Sequence, residues 1–234
     1  MLIDERLIKL CKQPKHGTTI LSVRKGNKVT VIGDGQITHG SVVMKHNAVK
    51  VRRVGNVLVG VAGSAADALT LLEKFEKYLE ESGGELLRAV VNLAKQWRVD
   101  RSVSLPFSFF SFIPFIHSFI PFIHSFIPFD RTMYRLHATM CMSDKKSTLL
   151  FDGEGNVIEP DDQRLLAIGS GGYFALAAAR ALLDHSNLDA EQIAREAMTI
   201  AADLCIHTNK NFTVQTLEID SPTPDEKPGS PPFV

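Results

Sequence analysis

The sequence has few cysteines and no excess of charge of either sign. Its 234 residues include three cysteines, Cys11, Cys141 and Cys205, whose unrelated spacings form neither a disulfide framework nor a C-x-x-C metal motif. A reducing compartment is therefore expected, and zinc binding and secretion are disfavoured. Basic and acidic residues number 26 each, which argues against a basic surface for nucleic acid. The sequence also lacks a G-x-x-x-x-G-K-[ST] loop, so ATP binding through that motif is excluded.

Both ends of the sequence differ in composition from the rest. Residues 1–17 mix both charge signs and lack a long apolar stretch or a cleavage signature of small residues. This favours a leader or propeptide over a secretory signal. Residues 221–234 are rich in proline and almost devoid of apolar side chains, which predicts a disordered tail. Neither end is expected to belong to the folded domain.

An apolar repeat interrupts the sequence at residues 102–130, where the heptad Phe-Ile-Pro-Phe-Ile-His-Ser begins at Phe112 and recurs. Its length and lack of charge up to residue 129 would suit a membrane span. However, Pro114, Pro121 and Pro128 break any helix at seven-residue intervals, which disfavours both a span and a coiled coil. The remaining interpretations are an exposed apolar loop, a tandem expansion or a gene-model artefact.

The rest of the sequence predicts a mixed α and β domain. Short β-branched runs separated by glycine and charged turns indicate strands between Thr18 and Gly63, and again over 135–169. Two amphipathic helices follow the first group of strands. Two more follow the second group, at about 173–185 and 190–206, with Asp189 and Gln192 as a capping box for the last. A strand in 212–219 ends the domain. This order predicts an α+β fold in which two sheets lie between two helical layers, an αββα sandwich.

Several motifs occur together in this pattern. They are TTILSVRKGNKVTVIGDGQITHG at 18–40, MKHNAVKVRR at 44–53, VGVAGSAADALTLLEKFE at 59–76, AVVNLAKQWRVDR at 89–101, AIGSGGYFALAAARALL at 167–183 and AADLCIHTN at 201–209. Their order and spacing resemble the HslV family of threonine peptidases, relatives of the proteasome β subunits. The resemblance covers residues 18–220 apart from the apolar repeat. It implies a peptidase domain of the N-terminal nucleophile type, interrupted by that repeat.

The resemblance implies that Thr18 is the nucleophile. Cleavage after Gly17 would leave the hydroxyl and a free α-amino group on the same residue, and such an amine titrates at about 7.7–8.0, close enough to neutrality to serve as general base. In the uncut chain the nitrogen is an amide without basicity, so processing is required. Without the surrounding motifs, Thr18 would be interpreted only as a residue of an edge strand.

Four further catalytic positions follow from the resemblance. Lys50 would place positive charge near the Thr18 hydroxyl, with Asp34 as its buried partner. Ser170 would hydrogen-bond near the Thr18 amine, a role compatible with capping the next helix. Gly60 would present a backbone N–H to the oxyanion, because glycine allows substrate to approach closely. Taken alone, Lys50 could be a solvated strand lysine and Asp34 a turn residue.

The resemblance also implies a sodium site built from backbone carbonyls. The expected ligands are the carbonyl oxygens of Ala202, Cys205 and Thr208, at the C-terminal end of the last helix, where carbonyls lack intrahelical partners. Cys205 would then act through its backbone and not as a reactive thiol.

The implied assembly is a homo-oligomer, a dodecamer of two stacked hexameric rings whose active sites face an inner chamber. An AAA+ unfoldase of the HslU type would supply ATP-driven delivery of unfolded polypeptides, with no nucleic acid or membrane partner. The expected location is the mitochondrial matrix in a eukaryote or the cytoplasm in a bacterium. The alternatives are a proteasome β-like subunit of another ring symmetry, and a catalytically silent ring or scaffold subunit that keeps residues 1–17.

Overall fold

The computed structural model describes residues 17–39, 41–102 and 138–219. Its strands and helices, in chain order, are β1 (Thr19–Lys25), β2 (Lys28–Gly33), β3 (Ile37–His39), β4 (Val42–Lys45), β5 (Val51–Val54), β6 (Val57–Gly63), α1 (Ala65–Glu81), α2 (Leu86–Ser102), β7 (Ala138–Ser143), β8 (Thr148–Phe151), β9 (Val157–Ile158), β10 (Leu165–Gly169), α3 (Gly172–His185), α4 (Ala190–Leu204) and β11 (Thr213–Glu218). The leader up to residue 16, the apolar repeat from residue 103 and the tail lie outside the described residues.

Two antiparallel sheets form the centre of the domain. The first has the strand order β10-β1-β2-β11 and the second has the order β5-β6-β7-β8-β9, while β3 and β4 form a separate hairpin. In β1, Ile20 pairs with Gly33 of β2 on one side and with Ile168 of β10 on the other. The first strand of the domain is therefore central in its sheet, and its N-terminal end is held between two neighbours.

Successive side chains of a strand point to opposite faces of the sheet, so each sheet has an apolar outer face as well as an apolar inner one. Helices cover the outer face of each sheet. Leu21, Val23 and Ile32 point outwards into a core made with α3 and α4, whose contact faces are mostly alanine. The α1 and α2 helices cover the second sheet through Leu71, Phe75, Val90 and Leu93, among others. Fully burying a side chain such as Phe75 contributes about 1.5–3 kcal/mol.

The inner faces of the two sheets pack against each other. Ile20, Val31, Leu58, Cys141 and Ile168 are among the apolar residues of this layer. Burial raises the pKa of the Cys141 thiol to about 12. The arrangement of helices, two sheets and helices confirms the predicted αββα sandwich.

The ends of the helices also follow the sequence pattern. The Asp189 carboxylate accepts from the backbone N–H of Gln192, and the Gln192 side chain accepts from the backbone N–H of Asp189, so the predicted capping box is confirmed. None of the described helices has both the length and the hydropathy of a membrane span.

Candidate functional site

Thr18 lies at the entrance to β1 and is 4% exposed. Its carbonyl accepts from the Ser170 backbone N–H at 2.8 Å and from the Ser170 hydroxyl at 3.3 Å. The preceding Gly169 has a φ of +90°, and a Cβ there would stand 2.0 Å from the Thr18 carbonyl oxygen. The turn after β10 can therefore hold Thr18 only because residue 169 is glycine.

Thr19 fixes the other side of the same peptide unit. Its backbone N–H donates to Asp34 Oδ1 at 2.8 Å. Its hydroxyl accepts from the Gly171 N–H at 3.0 Å and shares a hydrogen bond of 2.7 Å with the Thr208 hydroxyl. No sequence motif predicts a role for the side chains of Thr19 and Thr208. The Thr-Thr order at the start of the strand marks Thr19, whereas no signal in the sequence marks the Thr208 side chain.

Asp34 and Lys50 form a buried ion pair. Lys50 Nζ lies 2.9 Å from Asp34 Oδ1, with the Lys50 side chain 9% exposed and the Asp34 side chain fully buried. Asp34 Oδ2 accepts from the Gln36 N–H at 2.8 Å, and Lys50 also donates to the Gln36 carbonyl. Burial lowers the pKa of Lys50, and the Asp34 carboxylate opposes that shift. The structure therefore brings together the two residues that the sequence paired.

The polar groups of the site converge on the Gly17 carbonyl. The Thr18 hydroxyl donates to this oxygen at 2.7 Å, and Lys50 Nζ lies 3.5 Å from it. A hydroxyl next to a carbonyl that also faces an ammonium group is an arrangement in which that carbonyl can be attacked and its developing negative charge stabilised.

Ser170 occupies the predicted position but does not cap the helix. The N-cap of α3 is Gly171, and no side chain caps that helix end. Instead, Ser170 bonds the Thr18 carbonyl, and the Cys205 thiol lies 3.7 Å from the Ser170 hydroxyl as a donor. Ser170 therefore supports the first residue of the domain directly.

Gly60 has a different place from the one expected. It lies within β6, where a Cβ would stand 2.4 Å from Ile20 Cγ2. Glycine at this position is required by packing between the two sheets, and not by an approaching substrate. The residues of β6 that face the cleft are Val59, Val61 and Gly63. The expectation that residue 60 must be glycine so that substrate can approach is therefore wrong.

A cleft of about 470 Å³ opens beside Thr18 and Lys50. Its walls are mainly apolar and include Ile37, Met44, Val49, Val59, Val61, Leu69 and Leu72. Apolar walls with a few polar groups at one end are typical of a site that binds a side chain next to a reacting bond. The β3–β4 hairpin supplies one side of this cleft, a contribution that the sequence motifs did not reveal.

The predicted cation ligands lie at the end of α4. Ala202 is in the last turn of that helix, and Cys205 is its C-cap. The Cys205 carbonyl accepts from the Thr208 N–H at 3.0 Å, which leaves its second lone pair for another partner. Carbonyl oxygens of a helix end suit a hard monovalent cation, so the residues fit the expected group. Among the described residues, no cluster of three or more His, Cys, Asp or Glu side chains gathers to hold a metal.

Comparison with known proteins finds the same architecture and similar sequences. The proteasome subunit family matches residues 14–90 and 123–217. The ATP-dependent protease subunit HslV of Rhizorhabdus wittichii is 48% identical over 205 residues, covering 87% of this chain and 94% of the relative.

Solved structures agree. Eukaryotic HslV from Trypanosoma brucei is 42% identical, with a TM-score of 0.67, and the match covers 86% of this chain and 99% of that one. Thiobacillus denitrificans BPH in complex with epoxomicin is 19% identical, with a TM-score of 0.61 over 87% of this chain and 100% of that one. This last likeness shows the fold alone.

Proposed function

The chain belongs to the proteasome subunit family and, within it, to the HslV peptidases, and from this membership and the geometry around Thr18 we propose how its residues perform catalysis. It is a threonine-type peptidase and the proteolytic subunit of an ATP-dependent protease. A catalytically silent scaffold subunit is not favoured.

The observation that supports the proposed mechanism best is the convergence of Thr18, Lys50 and Asp34. In the mature chain, the Thr18 amine removes the proton from the Thr18 hydroxyl, whose oxygen attacks the substrate carbonyl and forms an ester. Lys50, held by Asp34, provides the positive charge that favours the deprotonated hydroxyl. The amine then passes its proton to the leaving nitrogen, and water hydrolyses the ester and regenerates Thr18.

The remaining catalytic positions act on this centre. Ser170 holds the Thr18 carbonyl through its hydroxyl, and we propose that the same hydroxyl contacts the Thr18 amine of the mature chain. The Val61 N–H is not free to bind an oxyanion, because it donates to the Lys50 carbonyl at 3.0 Å. Gly63 lines the cleft and Gly60 does not. We therefore assign the backbone donor of the oxyanion hole to the Gly63 end of β6.

The same groups support removal of the leader by the chain itself. The Thr18 oxygen attacks the Gly17 carbonyl carbon, the Gly17–Thr18 C–N bond breaks, and the nitrogen takes up a proton to become the free amine. Water then hydrolyses the ester and releases a leader that ends in a Gly17 carboxyl. The distances of 2.7 Å from the Thr18 hydroxyl and 3.5 Å from Lys50 Nζ to the Gly17 carbonyl oxygen support this route.

The first experiment measures the intact mass and N-terminal sequence of the purified chain, followed by hydrolysis of a fluorogenic peptide. We expect a mature chain that begins at Thr18. Thr18→Ala should keep its leader and lose hydrolysis, while Thr18→Ser should retain part of both activities. Thr199→Ala, on α4, is the matched control and should behave as the unsubstituted chain. Full hydrolysis by Thr18→Ala would refute the mechanism.

The chain is a subunit of an oligomeric protease, and we propose two stacked hexameric rings, an HslU-type AAA+ unfoldase and unfolded polypeptide substrates. Exposed apolar side chains support extensive contacts between subunits. Val42, Val43 and Met44 of the β3–β4 hairpin form one group, and a second group lies at the N-terminal end of α3 and the C-terminal end of α4 and consists of Tyr173, Phe174, Ile200, Leu204 and Ile206. Light scattering of the mature chain should give a mass of twelve subunits, and Tyr173→Asp should reduce it.

Two further expectations remain proposals. The carbonyls of Ala202, Cys205 and Thr208 would bind a sodium ion, which supplies positive charge that ties the end of α4 to the following turn. Thermal unfolding with sodium or with choline as the only cation tests this, with a higher Tm expected in sodium.

The proposed location is the mitochondrial matrix in a eukaryote and the cytoplasm in a bacterium. Fractionation of the source cells tests it.

A further inference from the structure

Gly17 lies in a space that no other residue can occupy unchanged. A Cβ built on Gly17 would stand 2.4 Å from His207 Cβ, 2.7 Å from Thr38 Oγ1 and 3.0 Å from His207 Cγ. Real Cβ atoms essentially never approach other heavy atoms closer than 3.0 Å. Two of these contacts involve atoms close to the backbone of His207, so a small side-chain movement does not relieve them.

The walls of this space come from two distant parts of the chain. Thr38 belongs to β3, and His207 lies in the segment after α4. The Gly17 carbonyl is held at the same time by the Thr18 hydroxyl and Lys50. Residue 17 is therefore held through its carbonyl, and the space beside its α-carbon has no room for a side chain.

The same walls carry two unsatisfied polar atoms. Among the described residues, Thr38 Oγ1 and His207 Nδ1 are buried atoms without a hydrogen-bond partner. Thr38 as a whole is only 5% exposed. A buried polar atom without a partner is destabilising, and the Gly17 α-carbon offers these two atoms nothing to bond. Departure of Gly17 would open a polar space next to the new Thr18 amine, with enough partners for a water molecule.

We propose that Thr38 and His207 form a glycine-selecting pocket that admits only glycine as leader residue 17 and whose unsatisfied polar atoms are relieved when the leader departs. The proposal rests on the self-cleavage proposed above. The two residues determine specificity and take no part in the reaction, because their side chains fill the space that a Cβ on residue 17 would need, while the carbonyl itself is held by the Thr18 hydroxyl and Lys50. The pocket acts only on the residue joined to Thr18, so it sets the site of maturation.

The first test follows leader removal by intact mass in full-length variants. Gly17→Ala should remove the leader at least about tenfold more slowly, since overpacking displaces the carbonyl from Thr18. Adding Thr38→Ala and His207→Gly to Gly17→Ala should restore removal, because these changes delete Thr38 Oγ1 and His207 Cβ. The control pair Thr38→Ala with His207→Gly in a chain that keeps Gly17 should still be processed.

A second test measures how the unsatisfied Thr38 hydroxyl affects the Tm, and it does not depend on cleavage. Thr38→Val deletes the hydroxyl but keeps the shape of the side chain. In a Thr18→Ala chain that retains its leader, this change should raise the Tm. In a chain released directly at Thr18 from a ubiquitin fusion, Thr38→Val should not raise the Tm. In that chain the space left by Gly17 is open, and water can bond the Thr38 hydroxyl.

The outcomes separate this proposal from the one on which it rests. Removal of the leader from Gly17→Ala at the unsubstituted rate, or a failure of the Thr38 and His207 changes to restore it while the control pair is processed, overturns the pocket alone. An equal Tm effect of Thr38→Val in both forms also overturns it. A leader that persists in the unsubstituted chain overturns self-cleavage, and the pocket with it.

Discussion

Replacing Asp34 with asparagine tests the electrostatic centre of the site with little change of shape. The carboxylate has no exposed surface and accepts three hydrogen bonds, from Lys50 Nζ and from the backbone N–H groups of Thr19 and Gln36. Asparagine keeps one carbonyl oxygen and turns the other acceptor into a donor. Lys50 would remain buried without an anionic partner, and one of the two backbone groups would lose its acceptor.

The expected loss of stability can be estimated from these contacts. Removing one member of a buried ion pair costs about 3–5 kcal/mol. An unsatisfied backbone N–H adds about 1–3 kcal/mol. Because the effects share Asp34, they are not additive, and a total of about 4 kcal/mol is a reasonable lower figure. For a domain of this size, that corresponds to a decrease in Tm of roughly 8–16 °C.

The pH dependence of the loss follows from Lys50. Burial lowers the pKa of Lys50 below its value in the unfolded chain, and Asp34 limits the shift. Between the two pKa values the unfolded chain binds more protons, so stability rises with pH across that interval. Without Asp34 the folded pKa falls further and the interval extends to lower pH. The loss of stability caused by Asp34→Asn should therefore shrink as the pH rises from 7 towards 10.

Calorimetry in a Thr18→Ala background provides the assay, because this background keeps the N-terminus uniform. Asp34→Asn and the exposed control Asp161→Asn are compared at several pH values. The control should stay within about 2 °C of its parent. A similarly small decrease for Asp34→Asn, or a deficit that grows with pH, would show that the pair does not carry the buried charge described here.

Three further predictions concern single residues. Gly169→Ala places a Cβ 2.0 Å from the Thr18 carbonyl oxygen, so peptide hydrolysis should decrease by about 100-fold, measured with a fluorogenic peptide; unchanged turnover would contradict this close contact. Gly60→Ala should lower the stability by about 1–3 kcal/mol, because its Cβ clashes with Ile20. Adding Ile20→Leu, which removes Cγ2, should recover part of the lost stability in thermal unfolding. No recovery would argue against packing as the reason for glycine. The pKa of about 12 keeps the Cys141 thiol protonated at pH 8, so Ellman's reagent should modify it only after the mature chain unfolds, and rapid modification of the folded chain would be the opposite result.

The layers of the fold could be predicted from the sequence because each has a local signature. Alternation along β1 separates Ile20 from Leu21 and Val23, and the structure places them in different cores. The capping box at Asp189 depends on residues only three positions apart. Signals of this kind need no knowledge of distant partners, so strands, helices and their faces follow directly.

The site could be predicted only in part, because its contacts join residues far apart in sequence. Asp34 and Lys50 were paired on the strength of the family resemblance, and the structure places them in contact. The hydroxyl pair of Thr19 and Thr208 spans 189 positions and leaves no local pattern. Gly60 shows a second limit of prediction from sequence. A glycine indicates that there is no room for a Cβ, but it does not show whether the protein core or a substrate takes the space.

The contacts described here also explain how one set of residues can serve the chain before and after cleavage. Thr18 is held through its carbonyl by Ser170, and the following residue is held by Asp34. Every one of these bonds lies on the C-terminal side of the bond to be cut. Breaking the bond between Gly17 and Thr18 would therefore free the amine while the backbone of Thr18 and Thr19 stays held. Under the self-cleavage proposed above, the nucleophile that removes the leader would stay next to the cleft, ready for the next carbonyl that enters it.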